Sequence, residues 1–142
     1  MNKNLTIISI NANGLSAHHK FSFLLSKISH IHASIILIQE FFTNSSQFPD
    51  DYRISIFKSL WPGSFFFTKH LITLISPSYT ASHIFTSNDQ RILDIKVSSK
   101  SSSFVVRNIY APAEVQPNKL FWTNFPPITN YILLPTDCWR RF

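Results

Sequence analysis

Four apolar runs in this chain each stop at one polar side chain. LTIISIN ends at Asn11, SIILIQE at Glu40, SFVVRNIY at Tyr110 and NYILLPTD at Asp137. A strand covered on both faces reads as an unbroken apolar run rather than an alternation. The runs therefore point to an α/β fold around a buried sheet. A carboxylate at the end of such a run is costly to bury unless it is paired or binds a metal. The chain has only seven acidic residues, and Glu40 and Asp137 are two of them. If the four strands lie side by side and parallel, their tips meet on one rim, where α/β proteins place their sites. A single tip reads as a strand end facing water. Four tips of complementary chemistry read as a site.

The segments between the runs give an order. Residues 5–11 read as a buried strand closed by the turn Asn13-Gly14. Ser16 is a plausible N-cap for a helix over 17–31, whose Phe21, Leu24, Leu25, Ile28 and Ile31 follow helical spacing. Residues 34–39 form a second buried strand. Strand, helix and strand make a βαβ unit with parallel strands. A polar loop, FFTNSSQFPDD, follows Glu40. Short strands are expected over 53–59, 64–68, 70–76, 82–86, 91–98 and 103–110, with a hairpin turn in SSKSSS at 98–103. Residues 117–125 read as a short helix carrying Leu120, Phe121 and Trp122, and 131–134 as a last strand. There is no internal repeat, and 142 residues suit one domain.

Charge bears on partners. Net charge is +6, from 13 Lys and Arg against 7 Asp and Glu. Such a field helps a polyanion approach. The basic residues are scattered, however, and a nucleic-acid-binding module usually carries a basic stripe. Charged residues are only 14% of the chain, against roughly 25% in ordinary soluble domains. Cys138 is the only cysteine, which excludes an internal disulfide and a cysteine-rich zinc site. The apolar stretch near the N-terminus is too short for a signal-peptide core, and no run approaches a membrane span. A nuclear or cytoplasmic protein without membrane contact is expected. The six histidines do not form a metal set: His30 and His32 are two apart on a helix end and share no face, and His18 and His19 are adjacent.

As chemistry, the tips are a partial inventory for magnesium-dependent phosphodiester cleavage. Mg²⁺ takes a few carboxylate oxygens and keeps several waters. On this reading Glu40 would be the direct ligand, and Asn11 would orient a metal-bound water or a phosphate oxygen. Tyr110 would donate to the phosphate, and Asp137 would position the attacking water. A general base and a partner histidine are missing from this inventory.

In order, the segments ISINANGL, IILIQE, NIYAP and ILLPTDCW resemble the motifs of the endonuclease/exonuclease/phosphatase superfamily. They are most similar to the endonuclease domain of LINE-type (non-LTR) retrotransposons. WPGSFFFTKHLITLISP and the Arg91-Ile92-Leu93 strand resemble the connecting region of such elements. The likeness covers almost the whole chain. It implies the N-terminal part of a four-layer α/β sandwich of the DNase-I-like type, an α+β arrangement of two sheets with helices outside. It implies Mg²⁺ as cofactor and DNA as partner. Asn11, Tyr110 and Asp137 become catalytic positions, with Glu40 and Asn11 at the metal. Tyr110, Asn108 and Arg91 become contacts to phosphate or nucleic acid.

The departures from the pattern are specific. Phe41 replaces the threonine after the glutamate, and Ala113 the asparagine after Tyr-Ala-Pro. Pro135 and Thr136 stand where glycines are usual, and Trp139 where the fourth motif has asparagine. The later Ser-Asp-His motif has no counterpart before Phe142. The expectation is a C-terminally incomplete domain, derived from a Mg-dependent DNA endonuclease and inactive or incomplete as this chain. It supplies the first half of that fold and only the first strand or so of the second half. An uncovered sheet face of several hundred Å², at roughly 25 cal/mol per Å², then invites self-association or aggregation. The alternatives are a non-catalytic retroelement remnant, a nucleic-acid-binding module, or another superfamily branch such as an abasic-site nuclease or a phosphatase.

Overall fold

The computed structural model describes residues 4–14, 18–41 and 52–127. The chain runs β1 (Ile7–Asn11), α1 (His18–His30), β2 (Ile35–Gln39), α2 (Tyr52–Leu60), β3 (Ser64–Phe67) and β4 (Leu71–Ile75). It continues through β5 (Thr80–Thr86), β6 (Ile92–Ser98), β7 (Ser103–Ile109) and α3 (Val115–Thr123). It is a mixed α/β structure with two sheets. The first has strand order β1-β2-β4-β3 and the second β5-β6-β7. Ser16 as N-cap, most of the loop after Glu40 and the strand at 131–134 lie outside the described residues.

The βαβ unit forms as expected. β1 and β2 are parallel, with Ile7 opposite Ile35 and Asn11 opposite Gln39. The helix between them buries Phe21, Leu24 and Ile28 and leaves Lys20 and Phe23 outside. Lys27 and His30 occupy its last turn, where positive charge suits the helix dipole.

Three expectations need correction. First, the four runs do not form one parallel sheet. Among the described residues only β1 and β2 are parallel; β7 lies in the second sheet, antiparallel to β6. The serine turn explains this, because Ser98 pairs with Ser103 and the Ser99 N–H donates to the Ser102 carbonyl at 2.8 Å. A turn that tight joins only antiparallel strands. Second, β1 is an edge strand among the described residues, alternately exposed and half-buried, with Leu5 and Ile7 nearly half exposed. Third, residues 53–59 are helical, not extended. RISIFKS alternates as a strand does, but the core takes Ile54 and Phe57, three apart on one helical face. Packing overrides the local pattern. The second sheet has three strands within the described residues.

Two cores result. On the outer face of the first sheet, α1 and α2 pack against Ile36, Ile38, Ile72 and Leu74. Phe21, Phe41 and Phe57 meet edge to face there, with centroids 5.5–6.4 Å apart. Between the sheets lie Ile35, Leu71, Ile75, Leu93, Ile95, Val97 and Val106. Each such side chain contributes about 1.5–3 kcal/mol when fully buried. On the far face of the second sheet, Arg107 grips Asp94 through two 2.7 Å bonds. It also lies 4.9 Å over the Phe125 ring and donates to the Pro126 carbonyl. These contacts hold the segment after α3 against the sheet, although no residue of α3 itself is buried. Among the described residues no helix is long and apolar enough to cross a membrane.

Candidate functional site

The parallel pair β1–β2 ends in a tight knot of backbone. The Ala12 N–H donates to the Gln39 carbonyl at 2.8 Å, extending the ladder one residue past the strands. The chain then turns through Asn13 and Gly14, at φ 50° and 73°. The Asn13 N–H donates to Asn11 Oδ1 at 2.8 Å, an Asx turn, and the Gly14 N–H donates to the Glu40 carbonyl at 2.8 Å. Glu40 itself has φ 54°. A left-handed backbone at a residue with a Cβ costs about 1–2 kcal/mol and is concentrated at functional sites. Here it is clamped from both sides. Gly14 bonds the Glu40 carbonyl, while the Phe41 N–H donates to the His70 carbonyl at 3.2 Å and the Phe41 ring is fully buried. Phe41, the departure after the glutamate, is thus a core plug that fixes the kink.

The kink delivers the half-buried Glu40 carboxylate to Asn11, whose Nδ2 donates to Glu40 Oε1 at 3.1 Å. Asn11 uses both ends of its amide, one to shape the turn and one to orient the carboxylate. An aspartate there has no N–H to give.

Tyr110 comes from the other sheet. β2 pairs with β4 through Gln39 and Leu71, so His70 stands next to Glu40 across the ladder. The His70 ring lies 5.4 Å from the Tyr110 ring, tilted by 49°. Tyr110 is held by Arg91, whose carbonyl accepts the Tyr110 N–H at 2.9 Å. The Arg91 guanidinium lies 4.8 Å over the phenol ring and donates to the Tyr110 carbonyl at 3.3 Å. Asn11, Glu40 and Tyr110 therefore gather on one rim, although their strands belong to different sheets. Asp137 lies outside the described residues.

The loops that carry these groups are stitched together. Thr68, nearly fully buried, donates from its hydroxyl to the Gln90 carbonyl at 2.7 Å. Gln90 Oε1 accepts the Lys69 N–H at 2.8 Å. Arg91 and Lys69 thereby stand beside His70. Burial, and then these two charges, hold the His70 pKa below its ordinary value, against a weaker opposing pull from Asp89. The rim thus combines one oriented carboxylate with two neighbouring cations.

Asn108 is not a substrate contact. It is fully buried, and its amide is spent inside the protein. Nδ2 donates to the Ile72 carbonyl at 3.0 Å and Thr73 Oγ1 at 3.3 Å, and Oδ1 accepts from Gln39 Nε2 at 2.8 Å. It is a strut between the sheets that sets Tyr110, two residues on, against the strand of Glu40. Gln39, Thr68, Gln90 and His70 were absent from the sequence-derived set. For His70 a signal existed: it immediately precedes the apolar run LITLI, as Glu40 immediately follows IILIQ.

No family model matches the chain, and no curated protein matches it. Among the described residues no three His, Cys, Asp or Glu side chains gather as a ready-made metal cage.

Proposed function

We propose that this rim is the metal- and phosphate-holding part of a Mg²⁺-dependent phosphodiesterase site. We assign it to the endonuclease/exonuclease/phosphatase type, nearest the endonucleases of LINE-type retrotransposons, with DNA as substrate. The observation that carries the reading is the 3.1 Å Asn11–Glu40 bond, made by a glutamate held in a left-handed backbone at the joined ends of two parallel strands. Two stacked sheets with helices outside the first support a DNase-I-like sandwich. The net charge of +6 favours approach of a polyanion.

The donor set fits magnesium. Mg²⁺ is commonly bound by one or two carboxylates plus substrate phosphates and water, without an all-protein cage. Glu40 would hold it, and Asn11 fixes which carboxylate oxygen is left for it. When bound, the ion supplies Lewis acidity and a template for the phosphate. Tyr110 supplies a hydroxyl donor to a phosphate oxygen, oriented by Arg91 stacked on its ring. Arg91 and Lys69 add positive potential where the phosphate negative charge lies. Members of a catalytic constellation act as a unit. The groups gathered here are holding groups, so their first measurable contribution is Mg²⁺-dependent binding of DNA.

The test is fluorescence anisotropy of a short labelled DNA duplex with Mg²⁺ or with EDTA, for the wild type and Glu40→Ala, alongside nicking of supercoiled plasmid. Expected are tighter binding with Mg²⁺ and loss of that gain in Glu40→Ala; any nicking that is seen should also be lost in Glu40→Ala. Binding that is indifferent to both Mg²⁺ and Glu40→Ala overturns the proposal. A Mg²⁺-dependent gain in binding with no nicking at all identifies a non-catalytic descendant of such an enzyme.

A further inference from the structure

Among the described residues the two sheets end in four edge strands, β1 and β3 in the first and β5 and β7 in the second. An open edge pairs readily with another strand, and proteins blunt it by shortness, charge, proline or a bulge. β3 is only four residues long. β5 shifts register between His83 and Phe85, as a bulge does. β7 carries Arg107, locked to Asp94. β1 has none of these devices. Residues 4–12, NLTIISINA, hold no charge and no proline. The pairing of β1 with β2 runs unbroken from Ile7 to Asn11.

The ladder fixes which backbone groups point outward. The Thr6 carbonyl accepts the Ile35 N–H at 3.1 Å, and the Ala12 N–H donates to the Gln39 carbonyl at 2.8 Å. Along a strand, alternate residues turn their backbone groups to the same neighbour. Thr6, Ile8, Ile10 and Ala12 therefore face β2, and Leu5, Ile7, Ser9 and Asn11 direct their N–H and C=O groups to the open side. The side chains of Leu5 and Ile7 are also 45% and 46% exposed. The edge thus presents backbone hydrogen-bonding groups and apolar surface at the same residues.

We propose that β1 pairs antiparallel with β1 of a second copy of this chain, about a two-fold axis at Ile7. Ile7 then stands opposite its own counterpart and Leu5 opposite Ser9, with about six backbone hydrogen bonds from the three outward pairs. Symmetry and charge choose this occupant. A strand paired antiparallel with itself is self-complementary, as a two-fold interface must be. The edge is uncharged in a chain of net charge +6, so it offers an acidic partner nothing and is where two like-charged copies repel least. An axis at Ile8 would set Ile7 against Ser9 and draw Asn11 into the ladder. The axis at Ile7 keeps isoleucine with isoleucine and leaves Asn11 at the rim. Asn11 lies about 13 Å along the strand from that axis, so the two rims point away from each other and both stay open. A strand pair with its flanking side chains is at the low end of specific interfaces, so the dimer is reversible and grows with concentration. The pairing is independent of what the rim binds.

The experiment is sedimentation equilibrium of the full chain from the micromolar to the submillimolar range. A reversible monomer–dimer equilibrium is expected. Ile7→Lys sets two like charges across the axis and is expected to weaken the dimer about ten-fold or more. Far-UV circular dichroism checks that this variant is folded. A second readout places the contact and decides the matter if Ile7→Lys does not fold. In a Cys138→Ser background, Ile7→Cys is expected to form a cross-linked dimer on mild oxidation. Directly opposed Cα atoms in such a pair lie about 5.5 Å apart, within disulfide reach. Lys20→Cys, on the exposed face of α1, is expected not to cross-link. A monomer throughout the range, a dimer that folded Ile7→Lys leaves at full strength, open-ended oligomers in place of a dimer, or equal cross-linking by Ile7→Cys and Lys20→Cys overturns the proposal.

Discussion

Asn108→Ala should damage both the stability of the protein and the placement of Tyr110. Asn108 is completely inaccessible to solvent and lies where the two sheets touch. Its side chain donates to the Ile72 carbonyl at 3.0 Å, Thr73 Oγ1 at 3.3 Å and the Ile38 carbonyl at 3.4 Å, and accepts from Gln39 at 2.8 Å. Alanine deletes every one of these. Each interior polar group left without a partner costs about 1–3 kcal/mol. Counting the Gln39 amide and one carbonyl as stranded, the loss is about 2–6 kcal/mol, a large share of a total of roughly 5–15 kcal/mol. Urea unfolding followed by circular dichroism reads this as a lower midpoint with an unchanged slope. The double variant Gln39→Leu/Asn108→Leu, which removes both partners, should recover part of the loss. The Mg²⁺-dependent gain in DNA binding should also fall in Asn108→Ala under conditions where it is still folded. A cost within about 0.5 kcal/mol, typical of surface substitutions, refutes the strut.

Two further outcomes follow from the same contacts. His70 is held below its ordinary pKa of 6.5, so as pH falls the unfolded chain takes up this proton before the folded one does. Stability is then level above 6.5 and declines as pH drops from there toward the folded-state value. His70→Gln should flatten that part of the stability–pH curve, and identical curves refute the assignment. At Gly63, a Cβ would stand 1.9 Å from the Ile75 carbonyl oxygen and 2.9 Å from the Pro77 nitrogen. Gly63→Ala must push backbone aside and should lower stability by about 2 kcal/mol or more, read as a reduced melting temperature; an unchanged melting temperature refutes the close approach.

The sequence was most legible where the cause is local. The spacing of Phe21, Leu24 and Ile28 predicts α1, and the serine run predicts the β6–β7 turn, because each is decided within a few residues. Sheet membership was not legible. NIYAP has the same apolar character as IILIQ, and nothing local says that one strand crosses to a second sheet while the other stays in the first. α2 was misread because its alternation is real and only the contact of Ile54 and Phe57 with α1 and Phe41 chooses the helix. The candidate site divides along the same line. Asn11, Glu40 and Tyr110 are visible as the polar ends of apolar runs, and the structure brings them together. Asn108 stands in the same motif as Tyr110 and, two residues before it, shares its face of the sheet; it lies fully buried where the sheets meet, where an amide must be satisfied, while Tyr110, just past the end of β7, is half-buried. His70 reaches the rim only through the β2–β4 register, which pairs residues 32 positions apart in sequence, as in Gln39 with Leu71.

The central claim is that Glu40, aimed by Asn11, is a metal ligand, and Mn²⁺ binding tests it without requiring turnover. Electron paramagnetic resonance of Mn²⁺ titrated with the full chain reports the loss of the free-ion signal. Saturable loss with the wild type, abolished in Glu40→Gln and weakened in Asn11→Ala, is the expected result. Equal loss of signal with the wild type and with Glu40→Gln contradicts it.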